Sequence, residues 1–283
     1  MEKIVVTTDL SANSRAGMRY AIQLALLRNT KLAFLHVHQV LRASSWSDQQ
    51  YQHYIDRNHE LLVRDLTAFV KGVYRSLSIE TPANLSLAIY HNLDTVEGII
   101  EYAGKVQASY ICISTRGAGM VRKLFGTTSS KLIRTSPIPV LCIPSSYRIK
   151  PVTHVLYASD MSNYEHELKQ VAGFAKPLKA SVEMLHLFHP YEFLLDGGQF
   201  QKNLAKKAGY PVSLHYKARD VERSLMEEIR DAVQKSKPSV LAMFTHQDRT
   251  LFERLLLPVN ANEYSFSAAI PLLSFPKTQG TKR

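Results

Sequence analysis

The sequence predicts an α/β fold built twice: two tandem doubly wound domains, each a mainly parallel five-stranded sheet with helices on both faces. The first observation is an internal repeat, because KIVVTTDLS at 3–11 recurs as HVLYASDMS at 154–162, and IPVLCIP at 138–144 recurs as IPLLSFP at 270–276. Such self-similarity indicates duplicated structural units. The second observation is the alternation of strand-like and helix-like segments within each copy. We therefore expect one domain at 1–149 and a second at 150–283.

In the first copy, a short β-branched run from Ile4 to Thr7 predicts the opening strand. Asp9 and Ser11 are typical of a turn and a helix start. The helix that follows is indicated by apolar residues at helical spacing: Met18, Ala21, Ile22 and Ala25. Further strands are predicted at 32–37, 85–90, 111–114 and 140–143, and further helices at 62–73, 96–103 and 128–134. Alternation of this kind implies a parallel sheet that is covered on both faces.

The register between the copies changes by about 20 residues after the second strand, in the stretch where the first copy carries Gln49 to Ser76. This insertion predicts a helix whose apolar side chains share one face. Those side chains are Leu62, Leu66, Phe69, Val70 and Val73. The sole tryptophan, Trp46, precedes the helix. Two interpretations of Trp46 stay open at this point, a lid over a binding crevice and ordinary packing.

The length and composition are those of an ordinary globular protein. A chain of 283 residues makes two domains of about 140 residues each, which is large enough for a core in each. No apolar run approaches the about 20 residues that cross a membrane, and no secretory signal pattern is present, so we expect a cytoplasmic protein with no membrane partner. The formal net charge of +11 is spread along both copies without an aromatic-basic motif, so no nucleic-acid partner is expected. Cys112 and Cys142 lie in apolar runs, which predicts buried thiols.

In a doubly wound sheet, ligands bind beyond the carboxyl ends of the strands, where the strand order reverses. Asp9 follows the first strand and the turn Ser114-Thr-Arg-Gly117 follows the fourth, so we expect both to flank that crevice. His36 and His186 occupy equivalent positions on the second strand of each copy, where a hydrogen-bonded core or crevice histidine is expected. No histidine has metal-ligand spacing with cysteine or carboxylate neighbours, so neither a metal site nor a catalytic residue is predicted.

These segments resemble the universal stress proteins, and the resemblance covers the whole chain as two copies. It rests on Thr8-Asp9-Leu-Ser11, on Leu35-His36-Val37, on Ser114-Thr-Arg-Gly117 followed by Gly126-Thr127, and on the closing strand from Pro139 to Ile143. Nucleotide-binding members of that family hold the phosphates and ribose of ATP with a glycine, two residues, a second glycine, nine residues, and a glycine followed by serine or threonine. Glycines let the backbone approach phosphate oxygens, and amide groups at a helix start favour negative charge.

The resemblance implies that the first copy binds an adenine nucleotide, ATP with Mg²⁺. Asp9 and Val37 would lie at the adenine and ribose, with the glycines and threonines around the phosphates. The nucleotide-binding residues that the resemblance implies are Thr7, Asp9, Val37, Ser114, Gly117, Gly126, Thr127 and Thr128. Asp9 has a second interpretation as the cap of the following helix. Arg116, Arg122 and Lys123 either neutralise phosphate charge or lie on a solvated surface.

Both copies depart from the family pattern. The first copy has a serine in place of the first glycine, and eight residues instead of nine separate the other two glycines. The second copy has Phe244, Gln247 and Pro258 at the three glycine positions and Val259 at the hydroxyl position. We therefore expect a phenyl ring where the ribose would lie and no nucleotide in the second copy, with Asp160 acting as a helix cap.

Two functions of different classes fit these observations. The first is a stress-response regulatory protein that senses an adenine nucleotide through its first copy. The second is a nucleotide-free interaction or scaffold protein of the same fold, which works through protein partners. An enzyme is a third reading, limited to slow ATP hydrolysis, because the sequence offers no residue that we can name as a general base.

We also predict that the two copies pair as an internal pseudo-dimer through their last strands, as the resemblance implies. The apolar segments 138–143 and 270–275 are both edge candidates, and an exposed apolar edge invites aggregation. Each half expressed alone should therefore lose solubility or stability, which sedimentation and thermal denaturation would measure. Two soluble, monomeric halves of unchanged stability would contradict the pairing.

Overall fold

The computed structural model describes residues 1–115, 127–188, 197–220, 222–245 and 270–276. The chain divides into two compact units, Met1–Ile149 and Lys150–Arg283, which we call unit 1 and unit 2. Each unit is an α/β domain with five parallel strands, so the predicted fold class is confirmed.

Unit 1 has strands and helices in strict alternation. Its strands are β1 (Lys3–Thr7), β2 (Lys31–His38), β3 (Ser86–His91), β4 (Tyr110–Thr115) and β5 (Val140–Pro144). Its helices are α1 (Arg15–Arg28), α2 (Asp48–Ser76), α3 (Thr95–Lys105) and α4 (Thr127–Thr135). The strand order is β3-β2-β1-β4-β5, and neighbouring strands are parallel. The helices pack in two pairs, α1 with α2 and α3 with α4.

Unit 2 repeats this arrangement. Its strands are β6 (His154–Ser159), β7 (Ser181–Phe188), β8 (Val212–Ala218), β9 (Val240–Thr245) and β10 (Leu272–Pro276). Its described helices are α5 (Tyr164–Ala175), α6 (Gly197–Ala208) and α7 (Leu225–Ser236). The order β8-β7-β6-β9-β10 is that of unit 1, again with parallel neighbours. Where unit 1 has α2 with 29 residues, unit 2 has α6 with 12, which accounts for the change of register between the repeats.

The first strand lies at the centre of unit 1. Ile4, Val5 and Val6 are successive residues that point to alternate faces, and all three are 0% exposed. Burial of both faces requires a helical layer on each side of the sheet. The helix α1 supplies Met18 to this core and ends at Asn29, whose φ of 52° is left-handed and whose N–H donates to the carbonyl of Ala25.

The insertion of unit 1 forms one long helix, as the sequence predicts. Ser47 caps α2 by accepting a hydrogen bond from the Gln50 N–H, while the Gln50 side chain accepts one from the Ser47 N–H. The buried side chains of α2 are Leu66, Val70, Val73 and Tyr74, and they lie on one face. Among the described residues, no helix has the length and hydropathy needed to cross a membrane.

We predict that Leu66→Ala destabilises the protein by about 2–5 kcal/mol, because it leaves a cavity at a fully buried site between α2 and the sheet. Leu61→Ala on the same helix is the matched control: its side chain is 43% exposed, so the free energy of unfolding should change by less than about 0.5 kcal/mol. Denaturant unfolding followed by circular dichroism measures both values. Equal effects of the two variants would contradict the packing of α2.

Candidate functional site

A cavity of about 350 Å³ opens in unit 1 at the carboxyl ends of β1, β2 and β4. This is the place where the strand order reverses, since β1 lies between β2 and β4. Half of the lining side chains carry hydroxyl groups. The lining residues are Thr7, Thr8, Asp9, Ser11, Asn13, Ser14, Leu35, His36, Val37, Gln39, Thr95, Ile99, Ile113, Ser114, Thr128 and Ser129.

The turn after β1 presents Asp9 at the cavity. Leu10 has a left-handed φ of 61°, and its N–H donates to the Thr8 hydroxyl at 2.9 Å. One carboxylate oxygen of Asp9 accepts from the N–H of Ser11 at 3.0 Å and from its hydroxyl at 2.6 Å. These bonds close a turn of the kind that aspartate favours. They hold an exposed carboxylate in one position at the mouth of the cavity.

His36 fixes the same turn from β2. Its Nδ1 lies 2.9 Å from the carbonyl oxygen of Thr8. A carbonyl only accepts, so Nδ1 carries the proton, and Nε2 is the acceptor of the neutral ring. His186 of unit 2 makes the same bond, with its Nδ1 at 3.2 Å from the carbonyl of Ser159. The expectation of hydrogen-bonded histidines at these equivalent positions is confirmed.

Ser114 lies between the cavity and the start of α1. Its hydroxyl accepts from the Gly17 N–H at 2.7 Å and donates to the Ser14 carbonyl at 3.0 Å. A Cβ on Gly17 would lie 2.8 Å from the Ser114 Oγ and 3.0 Å from its backbone nitrogen. Glycine at position 17 therefore makes room for the serine that replaces the first glycine of the family pattern. Both hydrogen bonds of the Ser114 hydroxyl are therefore made with the backbone at the start of α1.

Two helices begin at the cavity. Asp94 caps α3 by accepting from two backbone amides of the first turn, at 2.8 and 3.2 Å. Its other carboxylate oxygen binds the Lys131 ammonium of α4, and this ammonium lowers the pKa of Asp94. The ion pair therefore ties α3 to α4 beside the lining residues Thr95 and Thr128. Amide groups at helix starts favour anions, and since Asp94 already accepts from those of α3, the start of α4 is the part of this side that is suited to negative charge.

Five of the residues singled out in the sequence line this cavity together: Thr7, Asp9, Val37, Ser114 and Thr128. Thr127 begins α4. Gly117 and Gly126 lie outside the described residues, as do Arg116, Arg122 and Lys123. Sequence reasoning missed Thr95 and Ser129 as lining residues. A signal for Thr95 was available, because Asp94 is a typical helix cap placed directly after a strand.

The family model of the universal stress proteins matches residues 1–144, more than half of the chain. The chain belongs to the universal stress protein family. The stress response protein NhaX of Bacillus subtilis (strain 168) is 27% identical over 161 residues, which are 50% of this chain and 97% of that protein.

One solved structure shares the fold of this universal stress protein over nearly its whole length. A universal stress protein from Archaeoglobus fulgidus DSM 4304 has a TM-score of 0.68 at 16% identity, over 98% of each chain. A universal stress protein in complex with cAMP has a TM-score of 0.38 at 18% identity, over 51% of this chain and 98% of that chain. The first of these structures extends the likeness to unit 2, which the family model does not reach.

The corresponding region of unit 2 is filled with larger side chains. Phe244 stands at the repeat position of Ser114; its ring stacks on Phe275 at 4.8 Å and meets the edge of Tyr157 at 5.7 Å. Glu167 stands at the repeat position of Gly17, is 2% exposed, and accepts a hydrogen bond from the Tyr157 hydroxyl. Burial, followed by the nearby Glu167, raises the pKa of Tyr157. Unit 2 therefore replaces the serine–glycine contact of unit 1 with a buried phenol–carboxylate pair.

The structure decides the roles of two side chains that the sequence analysis had discussed, Asp160 and Trp46. Asp160 is not the cap of α5, because Asn163 holds that position, and the Asp160 carboxylate instead accepts from the Ser162 N–H at 2.9 Å. It closes a turn, as Asp9 does in unit 1. Trp46 packs against α2, with its ring 4.9 Å from that of Tyr54, which favours the packing interpretation over the lid.

The two thiols of this universal stress protein are inert side chains of the core. Cys112 and Cys142 are buried, and burial raises the pKa of both thiols. Thiolates are the reactive form, so neither thiol is a nucleophile at neutral pH. Within the described part of the chain, no three histidine, cysteine or carboxylate side chains are arranged to hold a metal ion.

We predict that Gly17→Ala destabilises the protein by about 1–3 kcal/mol, because the new methyl group overlaps Ser114. Gly72→Ala is the matched control: it lies in α2 with nothing within 4 Å of its added Cβ, so the better helix propensity of alanine should stabilise it by about 0.5–1 kcal/mol. The double variant Gly17→Ala/Ser114→Gly should recover part of the stability, because it removes the contact with the Ser114 Oγ but keeps the 3.0 Å contact with the backbone nitrogen. Thermal and denaturant unfolding measure all three, and a neutral Gly17→Ala would show that the contact is loose.

Proposed function

We propose that this universal stress protein is a stress-response regulatory protein that binds an adenine nucleotide, ATP, in the cavity of unit 1. The supporting observation is the convergence of an exposed carboxylate, a set of hydroxyl groups and two helix starts on one cavity at the reversal of strand order. A volume of about 350 Å³ lies within the usual range for ligand sites.

Each side of the cavity suits a different part of the nucleotide. The Asp9 carboxylate, which Ser11 holds at the mouth, would accept hydrogen bonds from ribose hydroxyls or the adenine amino group. Val37 and Ile99 supply an apolar wall for the base. Thr128, at the start of α4, would donate to a phosphate oxygen, and Mg²⁺ would neutralise part of the phosphate charge. Gly117, Gly126 and Thr127 complete the proposed set, with Thr7 and Ser114 shaping the floor.

The proposed binding is asymmetric between the units. In unit 2 the ring of Phe244 and the carboxylate of Glu167 replace the small residues Ser114 and Gly17. A buried carboxylate next to a bound phosphate would be strongly unfavourable. We therefore do not propose a second nucleotide site in unit 2.

We propose no efficient catalysis. Among the described lining residues, Asp9 and His36 carry the groups that could act as a general base. The first is engaged by Ser11 and the second by the Thr8 carbonyl. Slow ATP hydrolysis is the upper limit, and phosphate release in the presence of Mg²⁺ would measure it.

Two observations favour the alternative, a nucleotide-free protein that works through protein partners. The Ser114 hydroxyl bonds to α1 instead of pointing free into the cavity, and the spacing between Gly117 and Gly126 is one residue short of the family pattern. Either departure would weaken a phosphate site. Native mass spectrometry of the purified protein separates the two functions by the presence or absence of a co-purified nucleotide.

We predict that Asp9→Ala weakens ATP binding about 10- to 100-fold, because it removes a charged hydrogen-bond acceptor at the mouth of the cavity. Asp160→Ala, the equivalent change in unit 2, should leave the affinity unchanged. Isothermal calorimetry with ATP, ADP and AMP, with and without Mg²⁺, measures both, and thermal denaturation checks that the variants are folded.

Three outcomes of this titration are informative. One site per chain that responds to Asp9→Ala supports the proposal. Two equivalent sites contradict the asymmetry. The absence of heat with every nucleotide contradicts nucleotide binding and supports the protein-interaction alternative.

A further inference from the structure

Four histidines of unit 1 form a connected group beside the cavity, which we call the histidine cluster: His36 and His38 of β2, His91 of β3 and His59 of α2. The register of the sheet pairs His38 directly with His91. Ring centroids are 6.4 Å apart for His36 and His38, 5.5 Å for His38 and His91, and 5.9 Å for His91 and His59. The cluster therefore joins the ends of β2 and β3 to the middle of α2.

The inner members of the cluster lack the hydrogen bonds that a charged ring would need. Both ring nitrogens of His91 and the Nδ1 of His38 are buried without a partner among the described residues. An imidazolium carries two N–H donors, and burying it without acceptors is unfavourable. Burial first, and the neighbouring histidines second, lower the pKa of His38 and of His91.

The neighbouring groups do little to offset the unfavourable burial of a charged histidine ring in the cluster. The groups that act on His91 are His38 and His36 from β2, and His59 and Asp56 from α2. Asp56 is the one carboxylate among these, and it is exposed. Protonation of one ring therefore disfavours protonation of the next, because like charges would lie within about 6 Å. The donor atoms do not converge on a common point as metal ligands would, within the described part of the chain.

We propose that the histidine cluster is a proton-sensitive contact, which holds the first half of α2 against the edge of the sheet at neutral pH and releases it on acidification. The chemistry is protonation of His91 and His38, whose charged forms have no buried acceptor. His59 lies on an exposed part of α2 and can separate from His91 without opening the core formed by Leu66 and Val70. The released segment is the amino-terminal half of α2.

The direction of the effect follows from linkage. The folded-state pKa values of His38 and His91 lie below the ordinary value of 6.5, so the open or unfolded state binds more protons at low pH. The contact is fully stable above the ordinary pKa and loses stability as the pH falls below 6.5 toward the lowered values. Acid therefore weakens it.

The chain carries its own reporter of this change. Trp46 is the sole tryptophan and precedes the cap of α2 at Ser47. Its ring contacts those of Tyr51 and Tyr54 on the first turns of the helix. Release removes the contact that holds this half of α2 to the sheet, so its first turns unwind. Trp46 then loses its contacts with Tyr51 and Tyr54, and its emission changes.

The experiment follows Trp46 emission and the melting temperature of the full chain, without nucleotide, between pH 7.5 and 5.0. The wild type should show a sigmoidal change in emission below pH 6.5 and a fall in Tm of about 2–4 °C beyond that of the variants. His91→Leu removes the buried titrating ring, and His59→Asn removes the ring on exposed α2 without touching the core; both should flatten the change. His53→Asn, at an exposed position of the same helix, is the control and should keep it.

Wild-type emission that stays constant over this range would overturn the proposal, and so would an unchanged transition in His59→Asn and His91→Leu. A transition that disappears in His53→Asn as well would place its origin outside the cluster and count equally against it. If His91→Leu does not fold, His59→Asn decides alone. The outcome is independent of nucleotide binding, because no nucleotide is present.

Discussion

In each unit, a histidine of the second strand bonds to a backbone carbonyl at the end of the first strand. This hydrogen bond holds the turn at the mouth of the crevice, and the rest of the site is built around that turn. In unit 1 the Thr8 carbonyl meets His36, and the Thr8 hydroxyl accepts from the N–H of Leu10. Unit 2 repeats both bonds with other residues: Ser159, His186 and Met161, the last with a φ of 62° against 61° for Leu10. In both units an aspartate follows, Asp9 or Asp160, and closes the turn by accepting from the N–H two residues further on. The turn is thus a property of the fold, and it says nothing by itself about a ligand.

What separates the two units is the contact between the first helix and the strand beyond it. The small pair Gly17 and Ser114 brings α1 close to β4 and leaves a cavity above them. Their counterparts Glu167 and Phe244 fill the same region with a carboxylate and a ring, and the carboxylate needs the phenol of Tyr157 as a partner. Burying a carboxylate is unfavourable without such a donor, so the changes in unit 2 depend on one another. The two units therefore differ at the floor of the crevice, while they share the turn above it.

The sequence predicted most of the fold because its signals are local or repeated. The burial of Ile4 to Val6 on both faces, the apolar face of α2 and the alternation of elements follow from periodicity alone. The site was harder to predict, since Thr95 joins the cavity from a different part of the chain, and Ser129 follows the predicted Thr128 but lies outside the family pattern. The hydrogen bonds were the hardest part to predict, because nothing in the sequence says that the Ser114 hydroxyl bonds to the backbone at the start of α1. Asp160 was wrongly expected to cap α5, because an aspartate near a helix start suits a turn as well as a cap.

His36 belongs both to the cavity and to the histidine cluster. Protonation of the cluster would therefore affect both the binding of an anion in the cavity and the packing of α2. Its Nδ1 donates to the Thr8 carbonyl, so Nε2 is the nitrogen that faces the other groups. A bound anion would favour positive charge on the cluster, whereas the packing of α2 favours neutral rings. By linkage, acid would then strengthen anion binding while it weakens the hold on α2. Acid thus has opposite effects on anion binding and on the packing of α2. An anionic ligand in the cavity would therefore raise the pH at which the helix is released.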